Sequence, residues 1–448
     1  MSSEQQYIDL YEQCRDMIFG HSATPLNAVR DEAFKAFCRN GFPTKKTEEY
    51  KYTDIPSLFA PDYGLNLNRL SIPVDPYEAF RCDVPNLSTL LYFVVNDQPL
   101  LSTAPDENHR QSEIIIASLK DYAANNPDFI ERYYSRIADF IGDSVTAFNT
   151  MLAQDGLLVY VPKGVVSEKT IQVVNILRSD VDLMVNRRVL IIVEEGASAK
   201  LLFCDHAFDD RNFLATEVIE AYVGRSASLE LYSLEETHYK NVRLSNVYVE
   251  QQADSRMVHN VITLHNGVSR NTLRLAFKGE GAECSCNGCA ISDKQQHVDN
   301  NTLIDHQVGH CTSRELYKYV LDDKSVGAFA GKVLVREDAQ KTVSEEVNQN
   351  LCATREARMF TQPMLEIYAD DVKCSHGSTI GQLNEQALFY MRQRGISLAE
   401  AKMMLQIAFV GEVIEKIELT PLRDRLRYLV DKRFRGELNK CEGCKLCK

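Results

Sequence analysis

The sequence predicts a mainly β protein with helical ends: a parallel β-helix core flanked by N-terminal and C-terminal helical regions. Three observations carry that prediction. From Leu157 onward, alternating and β-branched residues replace helical periodicity. A small or polar residue that launches such a run recurs at Ala197, Ala227, Ala253, Ala282, His310, Ala339 and Asp371, with successive gaps of 30, 26, 29, 28, 29 and 32 residues. Beyond Leu383 the pattern turns helical again. A regular period without helices between the strands fits stacked coils, none of which can bury its own apolar face alone. A sandwich can imitate such spacing but fits it less well.

In chain order, residues 1–150 read as an N-terminal helical, α+β region. Tyr7, Leu10, Tyr11, Cys14 and Ile18 fall at helical spacing. A polar connector from Gly41 to Asp54 ends in Tyr50 and Tyr52, and reads as a loop docking two tyrosines on a core. Asn126 to Gly142 carries Phe129, Ile130, Tyr133, Ile137 and Phe140, the pattern of an amphipathic helix. Residues 151–382 form the β-helix, with runs such as Thr170–Ile176, Arg188–Val193, Lys200–Cys204, Ser228–Tyr232, Arg256–Val261 and Glu315–Val320. Residues 383–435 form a C-terminal helical bundle. There Gly395 stops one helix, Ser397-Leu-Ala-Glu400 is a capping box for the next, and Thr420-Pro421 opens a third. That bundle can cap the last coil or dock a partner. Residues 436–448 are a cysteine-containing tail.

Composition narrows the function. The formal net charge is −13, from 63 acidic and 50 basic residues, which disfavours nucleic acid as a partner because that binding relies on neutralising phosphates. No apolar run reaches the roughly 18 residues that span a bilayer, and the polar start has no signal or transit character. The expectation is a cytoplasmic protein with no membrane partner. Thirteen cysteines, an odd number, argue against a disulfide framework in that setting. Phosphate-loop, dinucleotide, zinc-protease and nucleophile-elbow motifs are all missing, so no catalytic residues are assigned.

Three groups of residues could carry metal or sulfur chemistry. In Val372-Lys-Cys374-Ser-His376, alternation along a strand puts Cys374 and His376 on one face, where they suit a soft or borderline metal or are ordinary core residues. Cys284, Cys286 and Cys289 could bind zinc or an iron–sulfur cluster, with Cys311 one coil on and His297 and His306 nearby. Small thiols filling a narrow core explain the same pattern. Cys441, Cys444 and Cys447 sit on a polar tail beside Lys440, Lys445 and Lys448, which favour thiolates. They could hold metal or sulfur, or be of little consequence.

These residues also carry a resemblance. Cys311-Thr-Ser313, Tyr317-Lys318, Phe329-Ala-Gly331-Lys-Val-Leu-Val335, Pro363-Met-Leu-Glu-Ile367, Ala369 to Gly377, and Leu388-Phe-Tyr390 with Arg394-Gly-Ile396 are similar to the SufB/SufD family of iron–sulfur cluster assembly subunits. Glu49-Tyr-Lys-Tyr-Thr53 adds support near the start, although the family usually has Trp where this chain has Tyr50. Lys373 to Gly377 favours the SufD branch over SufB, whose corresponding segment is typically Glu-His-Glu. The cysteine tail is not part of the pattern.

The resemblance implies a right-handed parallel β-helix and a non-catalytic scaffold subunit. It implies pairing with a SufB-like paralogue through the β-helices, and docking of a SufC-like ABC ATPase on the C-terminal helices. It makes Cys374 and His376 candidate ligands at the SufB interface for transient iron or a nascent iron–sulfur cluster, with no firmly bound cofactor in the isolated chain. A homodimer is the alternative assembly where partners are lacking. The rivals are a SufB-like paralogue acting as the cluster scaffold itself, or a stand-alone β-helix carbohydrate-active enzyme.

Overall fold

The structure, a computed structural model, describes residues 3–76, 84, 87–100 and 113–437. A β-solenoid of about eight turns occupies residues 157–381, with helices before and after it. Consecutive strands alternate between two sheets, so each coil contributes one strand to each. One sheet runs from Leu157–Val161 through Leu183–Val193, Phe213–Val223, Asn241–Gln251, Val268–Phe277, His297–His306 and Val326–Val335 to Arg358–Ile367. The other runs from Thr170–Leu177 through Ser198–Ala207, Ser228–Glu236, Arg256–His265, Glu283–Ser292, Thr312–Leu321 and Val343–Cys352 to Lys373–Gly381. Pairing between coils is parallel throughout.

The sequence period is the stacking register. Ser198, Ser228, Arg256, Glu283, Thr312, Val343 and Lys373 form one column across the second sheet. The anchors Ala197, Ala227 and Ala282 each sit immediately before it and are essentially fully buried, as are Ser255, Cys311 and Thr342 at the same place in other coils. Those corners turn through left-handed backbone at Gly196, Ser226, Asp254, Gly281, His310 and Lys341, a conformation that glycine adopts most readily. In the early coils the bore is apolar: Val159, Ile191, Ile219 and Val247 face Ile171, Leu201 and Leu231.

The two ends of the solenoid are finished differently. At the start, Thr89–Val95 adds a parallel strand to Thr170–Leu177, and Gln98–Leu100 then closes that edge antiparallel. Ile115–Ser118 closes the other sheet antiparallel to Leu157–Val161. The sheets therefore begin within the N-terminal region, ahead of the boundary expected at residue 150. At the far end Arg358–Ile367 and Lys373–Gly381 are the outermost strands, and no described strand pairs with their outer edges.

The N-terminal helices Ser3–Gly20, Arg30–Asn40 and Ser144–Leu152 gather Tyr7, Phe37, Phe42, Phe59 and Phe148 into one aromatic core against Leu214 and Leu244 of the solenoid. Arg30, fully buried, donates to the carbonyls of Thr150, Met151 and Ala153 at 3.3, 3.1 and 2.5 Å, so a cation satisfies the C-terminal end of the last of these helices. The connector docks as expected. Tyr50 donates to Asp143, Arg270 lies 4.1 Å over the Tyr50 ring, and Tyr52 stacks on Phe360.

One expected element differs. The helix predicted over Asn126–Gly142 stops at Tyr133. Ser135 turns left-handed with φ 55°, and the backbone N–H groups of Ser135, Ile137 and Ala138 donate to the carboxylate of Glu220 at 2.8–3.2 Å. Glu220 is buried and paired with Arg188 at 2.7 Å. Satisfying that buried anion outweighs the apolar periodicity that favoured a longer helix.

At the other end, Leu398–Glu415 and Thr420–Phe434 pack on the outer face of the second sheet. Val410, Val413, Ile414, Leu422, Leu426 and Val430 meet Leu234, Ile262, Leu264, Cys289, Ile291 and Val320 there. Arg433 fixes the angle by bonding Asp293 at 2.8 Å and the Leu264 carbonyl at 2.6 Å. Lys318 pairs with Glu412. No helix among the described residues is long and apolar enough to cross a membrane.

Candidate functional site

The last strand, Lys373–Gly381, is placed by backbone bonding from Lys373 N–H to the Thr342 carbonyl at 2.8 Å and from Lys341 N–H to the Asp371 carbonyl at 2.7 Å. The Lys341 ammonium also pairs with the Asp371 carboxylate. In this register Cys374 lies beside Ser344, and His376 beside Glu346. Alternation then puts Cys374 and His376 on the same face, in line with the bore. Cys374 is half-buried against Val333, Val335, Ala339 and Ala369. Burial pushes its thiol up, so at neutral pH it keeps its proton until a metal or base removes it. His376 is exposed. A thiol and an imidazole at an unpaired sheet edge can complete a soft metal site only with ligands from outside the described chain.

The other cysteines are distributed differently. Cys284 and Cys286 point into the bore, where Cys286 is pushed well up by the neighbouring Cys284 thiol and by burial. Cys289 has the opposite parity and faces the C-terminal helices, and burial raises its thiol to about 12. The three thiols therefore do not converge. Cys284 is in register with Ser313 rather than Cys311, whose sulfur donates to the carbonyls of Gly279 and Gly309 at 3.4 Å. His297 bonds Thr53 and His306 bonds Ser313. Among the described residues, no three His, Cys, Asp or Glu side chains converge on a metal-sized site. Cys441, Cys444 and Cys447 lie outside the described residues.

Sequence reasoning missed how polar the bore becomes toward the open end. Leu201, Leu231, His259, Cys286, Glu315, Glu346 and His376 form a single column, one per coil. Only an exact count of residues per coil reveals it. His259 has no protein partner for either ring nitrogen, and burial lowers it to about 4. It borders a cavity of ≈ 10 Å³ shared with Arg243, Asn271 and Tyr317, about the room of one water.

Beside this column lies a buried ionic network. Arg187 pairs with Asp205 at 2.6 Å, and Arg243 reaches Asp205 and Glu217, each at 3.1 Å. Burial pushes Asp205 up, but Arg243 and Arg187 outweigh it and hold the carboxyl below its ordinary range. Glu235, 4.0 Å from Arg243, fares differently: burial raises it to about 7 against the pull of Arg243 and of the Ser269 hydroxyl. A carboxyl raised in the fold stabilises it fully below its unfolded value near 4.5, and that contribution is lost as pH rises through 7. Glu235→Gln should therefore flatten the fall in stability over this window, by up to about 1.4 kcal/mol per pH unit. Urea midpoints of both chains across that range check it.

A second surface lies on the C-terminal helices. Glu385–Gln393 buries none of its residues. Phe389 and Tyr390 are 62% and 56% exposed, and Leu398 and Met404 on the next helix are exposed too. Arg392 and Arg394 follow Tyr390 in the chain, with Arg394 4.7 Å over the Tyr390 ring.

Comparison with known proteins bears on the family. Residues 176–409 match the family described as SUF system FeS cluster assembly, SufBD core domain, and residues 1–173 match the SufBD protein N-terminal region. A SufBD family iron–sulfur cluster assembly protein of Synechocystis is 29% identical over 405 residues, covering 87% of this chain and 86% of its own. The iron–sulfur cluster assembly protein SufD of Escherichia coli is 27% identical over 427 residues, 94% of this chain and 96% of that one. The chloroplastic protein ABCI7 of Arabidopsis thaliana is 26% identical over 423 residues, 91% and 86%.

Proposed function

Because the chain belongs to the SufBD family of iron–sulfur cluster assembly proteins, we propose that it is the SufD-type scaffold subunit of a cytoplasmic SufBCD-type complex, without catalytic turnover of its own. The observation that carries this reading is the asymmetry of the solenoid. Antiparallel strands close both sheets at the start, and among the described residues nothing pairs the two outer strands at the far end. A stacked solenoid needs a cap at each end, and unpaired edges are templates for further strands. A second solenoid, that of a SufB-like paralogue, supplies the missing cap.

On that reading the cluster precursor forms where the two solenoids meet. Cys374 gives up its proton as its sulfur binds iron, and His376 offers a ring nitrogen. The remaining ligands come from the partner's edge. The C-terminal helices, with Phe389, Tyr390, Leu398 and Met404 exposed on them, are the dock for a SufC-like ABC ATPase. Nucleotide-driven movement of that dock is passed to the solenoid pair through the helices seated on the second sheet.

Co-expression with the cell's own SufB-like and SufC-like proteins, followed by anaerobic purification and mass measurement, tests this. The expected assembly contains one copy of this chain, one SufB-like chain and two SufC-like chains. A chain that purifies as a monomer or homodimer and takes up neither partner would sink the reading.

A further inference from the structure

The bore holds a pair of acids that the terminal strand does not use. Glu315 and Glu346 are cross-strand neighbours on the inner face, 2% and 0% exposed. Thr302 Oγ1 donates to one oxygen of Glu315 at 2.8 Å. The other oxygen of Glu315, and both oxygens of Glu346, receive no hydrogen bond. Among the described residues no Lys or Arg forms an ion pair with either carboxylate.

Three buried acceptor atoms without a donor are costly in a protein interior. Two such groups side by side cannot both stay ionised unless a positive charge comes between them. Burial and the nearness of Glu315 accordingly push Glu346 up to about 9 in the metal-free chain. The surrounding backbone is shaped around the pair: a Cβ on Gly331 would lie 2.1 Å from Oε1 of Glu346, so a glycine leaves that carboxylate its place. Neighbouring strands stand about 4.8 Å apart. That is close to twice the roughly 2.0–2.6 Å separating a hard cation from carboxylate oxygen, so carboxylates stacked in register at the strand spacing suit one shared ion.

We infer that Glu315 and Glu346 form an internal site for a divalent cation of the oxygen-liganded class, one coil inside the terminal strand. Its chemistry differs from that of Cys374 and His376, and it does not depend on the scaffold reading. Only the last coil separates it from the open end, where His376 is its exposed neighbour.

Manganese(II) is the probe. The full chain, stripped with chelator and desalted, is titrated at neutral pH while electron paramagnetic resonance counts free manganese, and thermal unfolding is followed with and without the ion. The expected result is one bound manganese per chain and a raised unfolding temperature. In Glu346→Gln, both should be lost, with affinity weakened roughly tenfold or more. Gly331→Ala should weaken binding as well, by displacing the carboxylate, whereas His376→Ala and Cys374→Ser should retain it. Circular dichroism confirms that the Gln variant is folded. Uptake no greater than that of the Gln variant overturns the site and leaves the pair sharing a proton. Binding that survives in Glu346→Gln but fails in His376→Ala also overturns it, placing the ion at the edge instead.

Discussion

Replacing His376 with alanine should leave the melting temperature unchanged and lower cluster formation on the purified complex by roughly tenfold or more, the scale on which metal sites lose affinity when their ligand environment is disturbed. The side chain is exposed and on an outermost strand, so its removal opens no cavity and orphans no buried partner. Its loss would act on chemistry rather than on folding. Anaerobic reconstitution with iron and sulfide, read by the charge-transfer absorbance of the cluster, measures the effect. Cys374→Ser belongs in the same series, but its half-buried sulfur packs against Val333, Val335 and Ala339, so some stability is lost with the ligand. Unimpaired assembly in the His376 variant would remove it from the proposed ligand set while leaving the partner surfaces untouched.

The largest stability effect is expected at Arg243. Its guanidinium touches Asp205, Glu217 and Asn271 inside the bore, and Arg243→Ala leaves Glu217 there without a cation and Asp205 with Arg187 alone. Removing one partner of a buried ionic group costs about 3–5 kcal/mol, mostly through the charges left behind. Urea unfolding of the isolated chain should show that loss. The double variant Arg243→Met, Glu217→Gln should recover much of it, because Asp205 keeps Arg187 and neutral groups of similar shape leave no other stranded charge. If the double variant is no better than Arg243→Ala, packing rather than charge is the cause.

The solenoid was legible because each coil turns a corner at a small or polar buried residue: Ala197, Ala227, Ser255, Ala282, Cys311 and Thr342 follow one another at gaps of 27 to 31 residues. The C-terminal helices were legible because their caps are local. Ser397 accepts from Glu400 N–H, Pro421 stands in the first turn, and Gly395 turns left-handed. The charged interior was not. Arg187, Glu217 and Arg243 sit in strands where a charge ordinarily signals a solvated face, and only the closing of two sheets around a bore buries them. Placing Cys374 and His376 on one face required nothing beyond strand alternation. Finding Glu315 and Glu346 behind them required the inter-coil register, which varies by a residue or two from coil to coil. The broken helix after Tyr133 failed for a similar reason: its cause, Glu220, lies far along the chain.

The unequal ends of the solenoid also give its synthesis a direction. The strands that close the first coil are made before the coils they protect, so each new coil leaving the ribosome finds a finished surface to zip onto. Growth by addition to a capped stub avoids long-range searches. Among the described residues the coil made last has no such shelter on its outer side. If a second solenoid caps it, as proposed, maturation of this subunit ends outside its own polypeptide, and a cell that makes it in excess of that partner carries molecules whose adhesive edges remain open.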